Sequence, residues 1–469
     1  MCGIIGVYGN EGSVKETILL GLISIQHRGQ DACGIATFSQ RMHLEKGLGL
    51  VGQFLTPGRL KNLHGNVGIG HVRYPTIGRG APEDAQPFCL LAPRGIAIAH
   101  NGNVINYIEL RKKLSKKVKF KSKCDIEVIL YTLAEELKKA DRLNPQTIFR
   151  GVERIFNLVC GSYSVVSVIE GAGLLAFRDP YGIKPLVFGM KDNSYMFASE
   201  SVALEVSGYK MVRDVAPGEA ILITKGGKFL SKTIVKGNLH PCIFEWVYFA
   251  RPDSVIDNIS VYEARLRLGK SLAKEIKKTK TKADVVIPIP DTARASALSV
   301  AQQLSVKYRE GLIKNRYIGR TFIMPEDDER KRKVRSKLNP IRSEINNRKV
   351  LLIDDSIVRG NTSREIINLV RNAGAKEVYF ASSSPPLKYP CVYGIDMQTR
   401  SEFIARGKEI EDVEKEIGAD RLVYQTLEGL INSIGRDRNF CTACFNGVYP
   451  TKVSKETFRI IEKERRSRH

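Results

Sequence analysis

The chain has 469 residues, 43% of them hydrophobic and 26% charged, the balance of a globular protein too long for one core, so two or three domains are expected. Its 74 basic residues against 50 acidic ones leave a net charge of +24, which suits phosphate-bearing substrates. No apolar stretch approaches the ~18 residues of a membrane span, and the amino terminus lacks the pattern of a signal peptide, so a cytoplasmic address with no membrane partner is expected.

Part of the basic surplus lies in runs, at Lys277 to Lys282, Arg330 to Lys337 and Arg465 to Arg468. No C2H2 finger or RNP1 signature accompanies them. Solvated faces and a tail account for these runs, and no nucleic-acid partner is expected. Nine cysteines in such a chain point to reactive or metal-ligating roles rather than to a disulfide scaffold.

In chain order, Cys2 comes first. Removal of Met1 would leave it with a free α-amino group, and that amine can serve as general base for the thiol of the same residue. Short β-rich runs follow, at residues 68–72, 95–99, 164–169 and 174–177, with helical periodicity at 127–139, a pattern of stacked sheets covered by helices. The segments His71 to Thr76 and His100 to Asn103 each close a strand-like run. Arg73 offers a fork for an α-carboxylate, Asn101 and Gly102 offer donors for an oxyanion, and Asp125 offers a partner for an α-ammonium. Taken singly, each is more often a turn residue or a helix N-cap.

The texture changes near His240. A helix is predicted over 260–278, then apolar strands at 284–290, 349–354 and 377–382, the mark of a parallel α/β sheet. The middle strand ends in Asp354-Asp355-Ser356-Ile357-Val358-Arg359-Gly360-Asn361-Thr362-Ser363, two carboxylates and a short loop opening a helix over 362–372. Thr362 and Glu365 have capping-box spacing, and Gly374 is a plausible stop. The N–H groups at that helix start can cradle phosphate, while the carboxylates can take ribose hydroxyls and Mg2+. The charged segment 326–348 is predicted to be a mobile excursion. Cys441 and Cys444 form a CxxC, with Cys391 and Cys242 upstream. Four thiolates can hold a [4Fe–4S] cluster or zinc, and a lone CxxC can equally be a redox pair. Cys33, Cys89 and Cys160 read as small core residues.

These residues carry a resemblance. The opening Met1-Cys2-Gly3-Ile4-Ile5-Gly6-Val7, His27-Arg28-Gly29-Gln30-Asp31, the HVRYPT and HNGN segments and Cys124 to Glu127 resemble the N-terminal-nucleophile glutamine amidotransferases across residues 1–235. The resemblance implies a four-layer αββα sandwich, with Cys2 as nucleophile, Asn101 and Gly102 as oxyanion hole, and Arg73 and Asp125 holding glutamine. Arg178 to Leu186 fits as well, except that Lys184 stands where many relatives carry Arg. Residues 236–248 read as a linker.

Residues 249–469 resemble type I phosphoribosyltransferases, in the form found in amidophosphoribosyltransferases. That implies binding of phosphoribosyl pyrophosphate (PRPP) by Asp354, Asp355, Ser356, Arg359, Gly360, Asn361, Thr362, Ser363, Lys314, Arg320, Asp291 and Thr292, with Mg2+ on Asp354 and Asp355 and the charged excursion as a lid. Ala293 departs from a Ser that many relatives use as a magnesium contact. The cluster-bearing branch has Cys at 242, 391, 441 and 444, which implies a structural [4Fe–4S] cluster.

The reaction implied is transfer of ammonia from glutamine to PRPP at the opening of purine biosynthesis, with purine nucleotides as feedback inhibitors and a homo-oligomer, tetramer or dimer. Two rivals are a glucosamine-phosphate synthase, which the DDSIVRGNT run contradicts, and a PRPP-sensing regulatory protein. The latter has no need of Cys2, Arg73, Asn101 and Asp125 together.

Overall fold

The computed structural model describes residues 2–74, 80–92, 94–139, 143–315, 338–395 and 399–466. Arg320, Pro75, Thr76, the run Arg330 to Lys337 and most of the predicted lid lie outside the described residues, as does the end of the C-terminal basic run.

Two antiparallel sheets form the first half. The seven-stranded sheet runs, edge to edge, through Lys210–Asp214, Val187–Lys191, Ser194–Ala198, Gly3–Tyr8, Val67–Arg73, Ala32–Phe38 and Met42–Leu48. The six-stranded sheet runs through Phe229–Thr233, Glu219–Thr224, Gly173–Arg178, Gly161–Ile169, Ile96–Val104 and Phe88–Leu90. Strand alternation sorts the side chains into layers. Ile4, Ile69, Ala97, Ala99 and Val166 fill the space between the sheets. Their neighbours Ile5 and Val7 face Ile18 and Leu22 of the helix Lys15–Ser24, and Ile96 and Ile98 face Ile129 and Leu133 of the helix Ile126–Lys138. This is the four-layer sandwich that the resemblance implies.

The second half is built on a five-stranded parallel sheet, ordered Lys307–Tyr308, Val285–Pro288, Lys349–Asp354, Glu377–Ser382 and Arg421–Tyr424. Both faces are buried, which explains the continuous apolar runs. Val350, Leu352 and Phe380 pack on Ile366, Ile367 and Val370 of the helix Asn361–Asn372. Leu351, Ile353 and Val286 pack on Leu272 and Ile276 of the helix Val261–Lys278 and on Ala297 and Val300 of the helix Arg294–Leu304. The chain reverses its lateral direction between Val285–Pro288 and Lys349–Asp354, which opens a crevice at their carboxyl ends.

Three details differ from the expectations. The helix begins at Asn361 with left-handed Gly360 (φ +78) at its N-cap and no side-chain cap, so the Thr362–Glu365 capping box does not form. A Cβ on Gly360 would lie 2.2 Å from Ile404 Cδ1, so packing as well as φ demands glycine. Residues 338–348 are structured: Leu338–Pro340 pairs with Leu312–Lys314 and the short helix Arg342–Ile345 follows. Cys33 is buried as expected, but Cys89 is half-buried and Cys160 exposed. Among the described residues no helix is long and apolar enough to cross a membrane.

Candidate active sites

The first site lies at the ends of two strands. Gly3 pairs with Val72, which brings Cys2 alongside Arg73. The Cys2 backbone N–H donates to Asn101 Oδ1 at 3.3 Å, its thiol points at the Tyr74 carbonyl at 3.6 Å, and its own carbonyl accepts from Arg28 Nε at 3.0 Å. Asn101 is fully buried, and its Nδ2 has no hydrogen-bond partner among the described residues. An orphaned buried donor is costly, and beside a thiol it suits an oxygen that gains negative charge. At Gly102 a Cβ would sit 2.0 Å from the Ser162 carbonyl oxygen, so only glycine lets this strand close on its neighbour.

Asp125 occupies the N-cap of Ile126–Lys138 without capping it. Its Oδ2 accepts from the Val104 N–H at 2.8 Å and faces His100 Nε2 at 3.4 Å. Burial opposes its charge, but His100 and that N–H outweigh burial and hold the carboxyl below its ordinary range. The result is an ionised carboxylate suited to an ammonium. Arg73, almost fully buried, stands 3.8 Å from Asp84. Reading the sequence missed the supports: Gln86 Oε1 takes the His100 N–H at 2.9 Å, and Arg28 holds the Cys2 carbonyl. Arg28 was visible in the HRGQD segment, but nothing local gave it a task.

The second site is a cleft of about 1230 Å³ at the carboxyl ends of the parallel strands. Its walls include Asp291, Thr292, Lys314, Asp354, Asp355, Ser356, Arg359, Gly360, Asn361, Thr362 and Ser363. Every predicted PRPP residue that is described is therefore here. Asp355 accepts from Thr292 Oγ1 at 2.5 Å and from Ser356 Oγ at 2.7 Å, and Asp354 Oδ1 accepts the Asp355 N–H at 2.9 Å. Burial pushes both carboxyls up, Asp354 well above the usual range with the neighbouring Asp355 adding to it. Two crowded carboxylates facing a cleft are short of positive charge, which fits Mg2+ or ribose hydroxyls. Lys314 Nζ meets Asp291 Oδ2 at 3.2 Å, and Arg359 pairs with Glu402 at 2.6 Å.

Two contributors to this cleft escaped the sequence. Arg265 donates to the Trp246 and Ala250 carbonyls, and burial lowers it to about 10 against the pull of Asp355 and Glu200. His27 and Gln30 reach the same cleft from the first half of the chain.

The four cysteines also converge. Cys242, Cys391, Cys441 and Cys444 are buried in one core with Phe244, Tyr393 and Phe445, and none forms a disulfide. Cys242 pairs with Cys441 in a lone parallel bridge, and the Lys388 and Tyr389 N–H groups donate to the Cys444 carbonyl. Burial pushes the Cys242 thiol up to about 11 and Cys441 and Cys444 well above the thiol range. Among the described residues no three His, Cys, Asp or Glu side chains are arranged to hold a metal ion. Three separate segments contribute these four cysteines to the one buried core.

Comparison with known proteins agrees with both halves. Residues 72–206 match a glutamine amidotransferase domain family and residues 256–384 a phosphoribosyl transferase domain family. The chain is 47% identical to an amidophosphoribosyltransferase of Pseudomonas aeruginosa over 98% of its own length and 94% of the relative's. It is 46% identical to that of Escherichia coli, with 96% and 93% covered. A glutamine PRPP amidotransferase of Bacillus subtilis, solved with ADP and GMP, superposes with a TM-score of 0.87 at 38% identity, covering 97% of this chain and 98% of that one. With both halves matched at these levels over nearly its whole length, the chain belongs to the amidophosphoribosyltransferase family.

Proposed function

We propose that this chain hydrolyses glutamine at Cys2 and passes the ammonia to C1 of PRPP, yielding glutamate, 5-phosphoribosylamine and pyrophosphate. The observation that carries this reading is the shared wall: His27 and Gln30 of the amidotransferase half line the same cleft as the loop after Asp354 and the first turn of the helix Asn361–Asn372. A regulatory protein that merely sensed PRPP would have no use for a buried Asn101 that accepts the Cys2 N–H and whose Nδ2 has no partner among the described residues.

With Met1 removed, the Cys2 amine takes the thiol proton and the sulfur attacks the glutamine carboxamide carbon. The Asn101 amide and Gly102 N–H hold the oxygen as its charge grows, the C–N bond breaks, and ammonia leaves with the proton. Water then cleaves the thioester to release glutamate. Arg73 and Asp125 hold the glutamine carboxylate and ammonium. In the cleft, ammonia forms a bond to C1 as the C1–oxygen bond to pyrophosphate breaks. The N–H groups opening the helix at Asn361 to Ser363 take the 5-phosphate, and Asp291, Thr292 and Lys314 flank the pyrophosphate. Arg320 completes the set by resemblance alone. Bound Mg2+ on Asp354 and Asp355 would supply charge compensation for the pyrophosphate. Purine nucleotides as feedback inhibitors and a homo-oligomer, tetramer or dimer, complete the proposal. The nucleotides find support in the ADP and GMP of the Bacillus relative.

The test is product release from glutamine, PRPP and Mg2+, in which glutamate and pyrophosphate should appear in equal amounts. Asn101→Gly should lower glutamate release ~10²–10³-fold, the cost of one oxyanion donor, and spare ammonia-dependent pyrophosphate release. Glutamate without pyrophosphate from either nitrogen source would overturn the transferase assignment.

We also propose that Cys242, Cys391, Cys441 and Cys444 hold a [4Fe–4S] cluster that ties the linker to the C-terminal segment. Protein purified without oxygen should carry about four irons and four sulfides per chain. Cys441→Ser should lose them and melt at lower temperature. Stoichiometric zinc in place of iron would reassign the site.

A further inference from the structure

The loop that leads into the phosphate cradle cannot be fixed from its own helix. A helix start that is to take a phosphate must leave its N–H groups open, which rules out a side-chain cap there. The helix Asn361–Asn372 has none. The loop is held from behind instead, by the segment Thr399 to Ile404. The Ile404 N–H donates to the Val358 carbonyl at 2.9 Å, and Ile404 packs where a Cβ on Gly360 would stand. Between them, Arg359 Nη2 lies 2.6 Å from Glu402 Oε1.

Glu402 is itself fixed. Its other oxygen accepts the Thr399 N–H and hydroxyl, both at 2.9 Å, which closes a capping box around the short turn Arg400–Glu402. That turn is anchored on the C-terminal helix Lys455–Arg466. The Arg400 guanidinium stands 3.5 Å from Glu462 and 4.7 Å from the centre of the Phe458 ring. Arg359 lines the cleft as well as the groove that holds Glu402. Its Nε is buried and has no hydrogen-bond partner among the described residues, a donor left over for a ligand. Charge alone argues against Glu402, because a carboxylate near a cleft for a polyanion repels it. The groove softens this, since Arg359, Arg400, Arg406 and Lys408 face Glu402 and Glu416 there. What the carboxylate supplies is geometry: with one arm of the guanidinium held, the loop residue that carries it keeps its place.

We infer that Glu402 is a positioning residue that holds Arg359, and through it the loop from Ser356 to Gly360, in the shape that receives the 5-phosphate of PRPP. The inference rests on the transferase reading above. It adds to the site a residue that lies outside the Asp354–Ser363 run and does not itself line the cleft.

The test is ammonia-dependent pyrophosphate release at varied PRPP, with ribose 5-phosphate and pyrophosphate as separate competing inhibitors. In Glu402→Gln the remaining side-chain oxygen can still accept from Thr399 while the amide N–H groups face the guanidinium, so the cap survives and the hold on Arg359 is lost. KM for PRPP and the inhibition constant of ribose 5-phosphate should both rise ~10-fold, the order carried by one charged hydrogen bond. The grip on a phosphate remote from C1 is the same before and in the transition state, so kcat should stay within about twofold, as should the inhibition constant of pyrophosphate. Action through charge alone predicts the opposite sign, tighter PRPP once the carboxylate is gone. A general loosening of the domain would weaken both inhibitors equally and lower kcat. Combined with Arg359→Gln, the substitution should add nothing further, because its effect passes through that guanidinium. Glu402→Asp keeps the charge and draws it back by one methylene, and it gives the same reading at smaller size if Glu402→Gln does not fold. KM unchanged or lower, or pyrophosphate weakened as much as ribose 5-phosphate, overturns the inference in an enzyme that otherwise works. A wild type that releases no pyrophosphate fails the transferase reading itself.

Discussion

Replacement of Cys2 by alanine is expected to lower glutamine-dependent pyrophosphate release by ~10³-fold or more and to leave ammonia-dependent release within about twofold. The asymmetry follows from the placement of the groups. Cys2 immediately precedes the strand Gly3–Tyr8 of the antiparallel half; its thiol meets the Tyr74 carbonyl, and its backbone bonds Asn101 and Arg28. Among the described residues none that lines the cleft makes a hydrogen bond to the thiol. The substitution removes one sulfur from a site 6% exposed, keeps the backbone bonds to Asn101 and Arg28, and leaves the fold in place. The same logic bears on Met1. If it is retained, the nitrogen of Cys2 is an amide with no basicity, and the wild type should resemble the alanine variant. Intact-mass measurement beside the assay separates a missing base from a missing nucleophile. Loss of ammonia-dependent activity equal to the loss with glutamine would mean that Cys2 supports both halves structurally, and the division of labour would fall.

How much of this was legible beforehand depended on how local each signal was. The Asp354–Ser363 run could be read because strand, carboxylates, loop and helix are contiguous, and every residue of it except the core residue Ile357 lines one cleft. Its cap was misread for a reason of tertiary origin: Ile404 presses on the loop where a Cβ at 360 would stand, so glycine takes the N-cap and Thr362 moves into the first turn. The flanking strands Lys307–Tyr308 and Arg421–Tyr424 are too short to announce themselves and exist by pairing with the strands beside them. Arg28, Glu200 and Glu245 are hidden in another way. Their sequence separations are 172 and 217, and no periodicity marks a buried ion group assembled over such distances. Arg265 reads as one more charged position in an amphipathic helix until its donors are found on the carbonyls of Trp246 and Ala250.

Asp354→Asn is the second decisive substitution, because activity and stability should move in opposite directions. Pyrophosphate release should fall ~10²–10³-fold with either nitrogen source, while glutamine hydrolysis without PRPP is spared. Asparagine keeps the oxygen that accepts the Asp355 N–H at 2.9 Å, so the loop has no reason to collapse. The wild-type carboxyl is held well above its ordinary range by burial and by Asp355. Between that ordinary range and the raised value, the folded protein holds a proton that the unfolded chain has released. Wild-type stability therefore falls as pH rises through the window. Asparagine does not ionise, so without ligands the variant should melt above the wild type at pH 8. The advantage should shrink toward pH 5 as the wild-type carboxyl takes up its own proton. A site that tolerates such a cost in the absence of ligand is one that spends the charge on a bound partner. Activity retained within about threefold would remove Asp354 from the PRPP site, and a variant that melts lower at every pH would make its carboxylate a structural element of the loop.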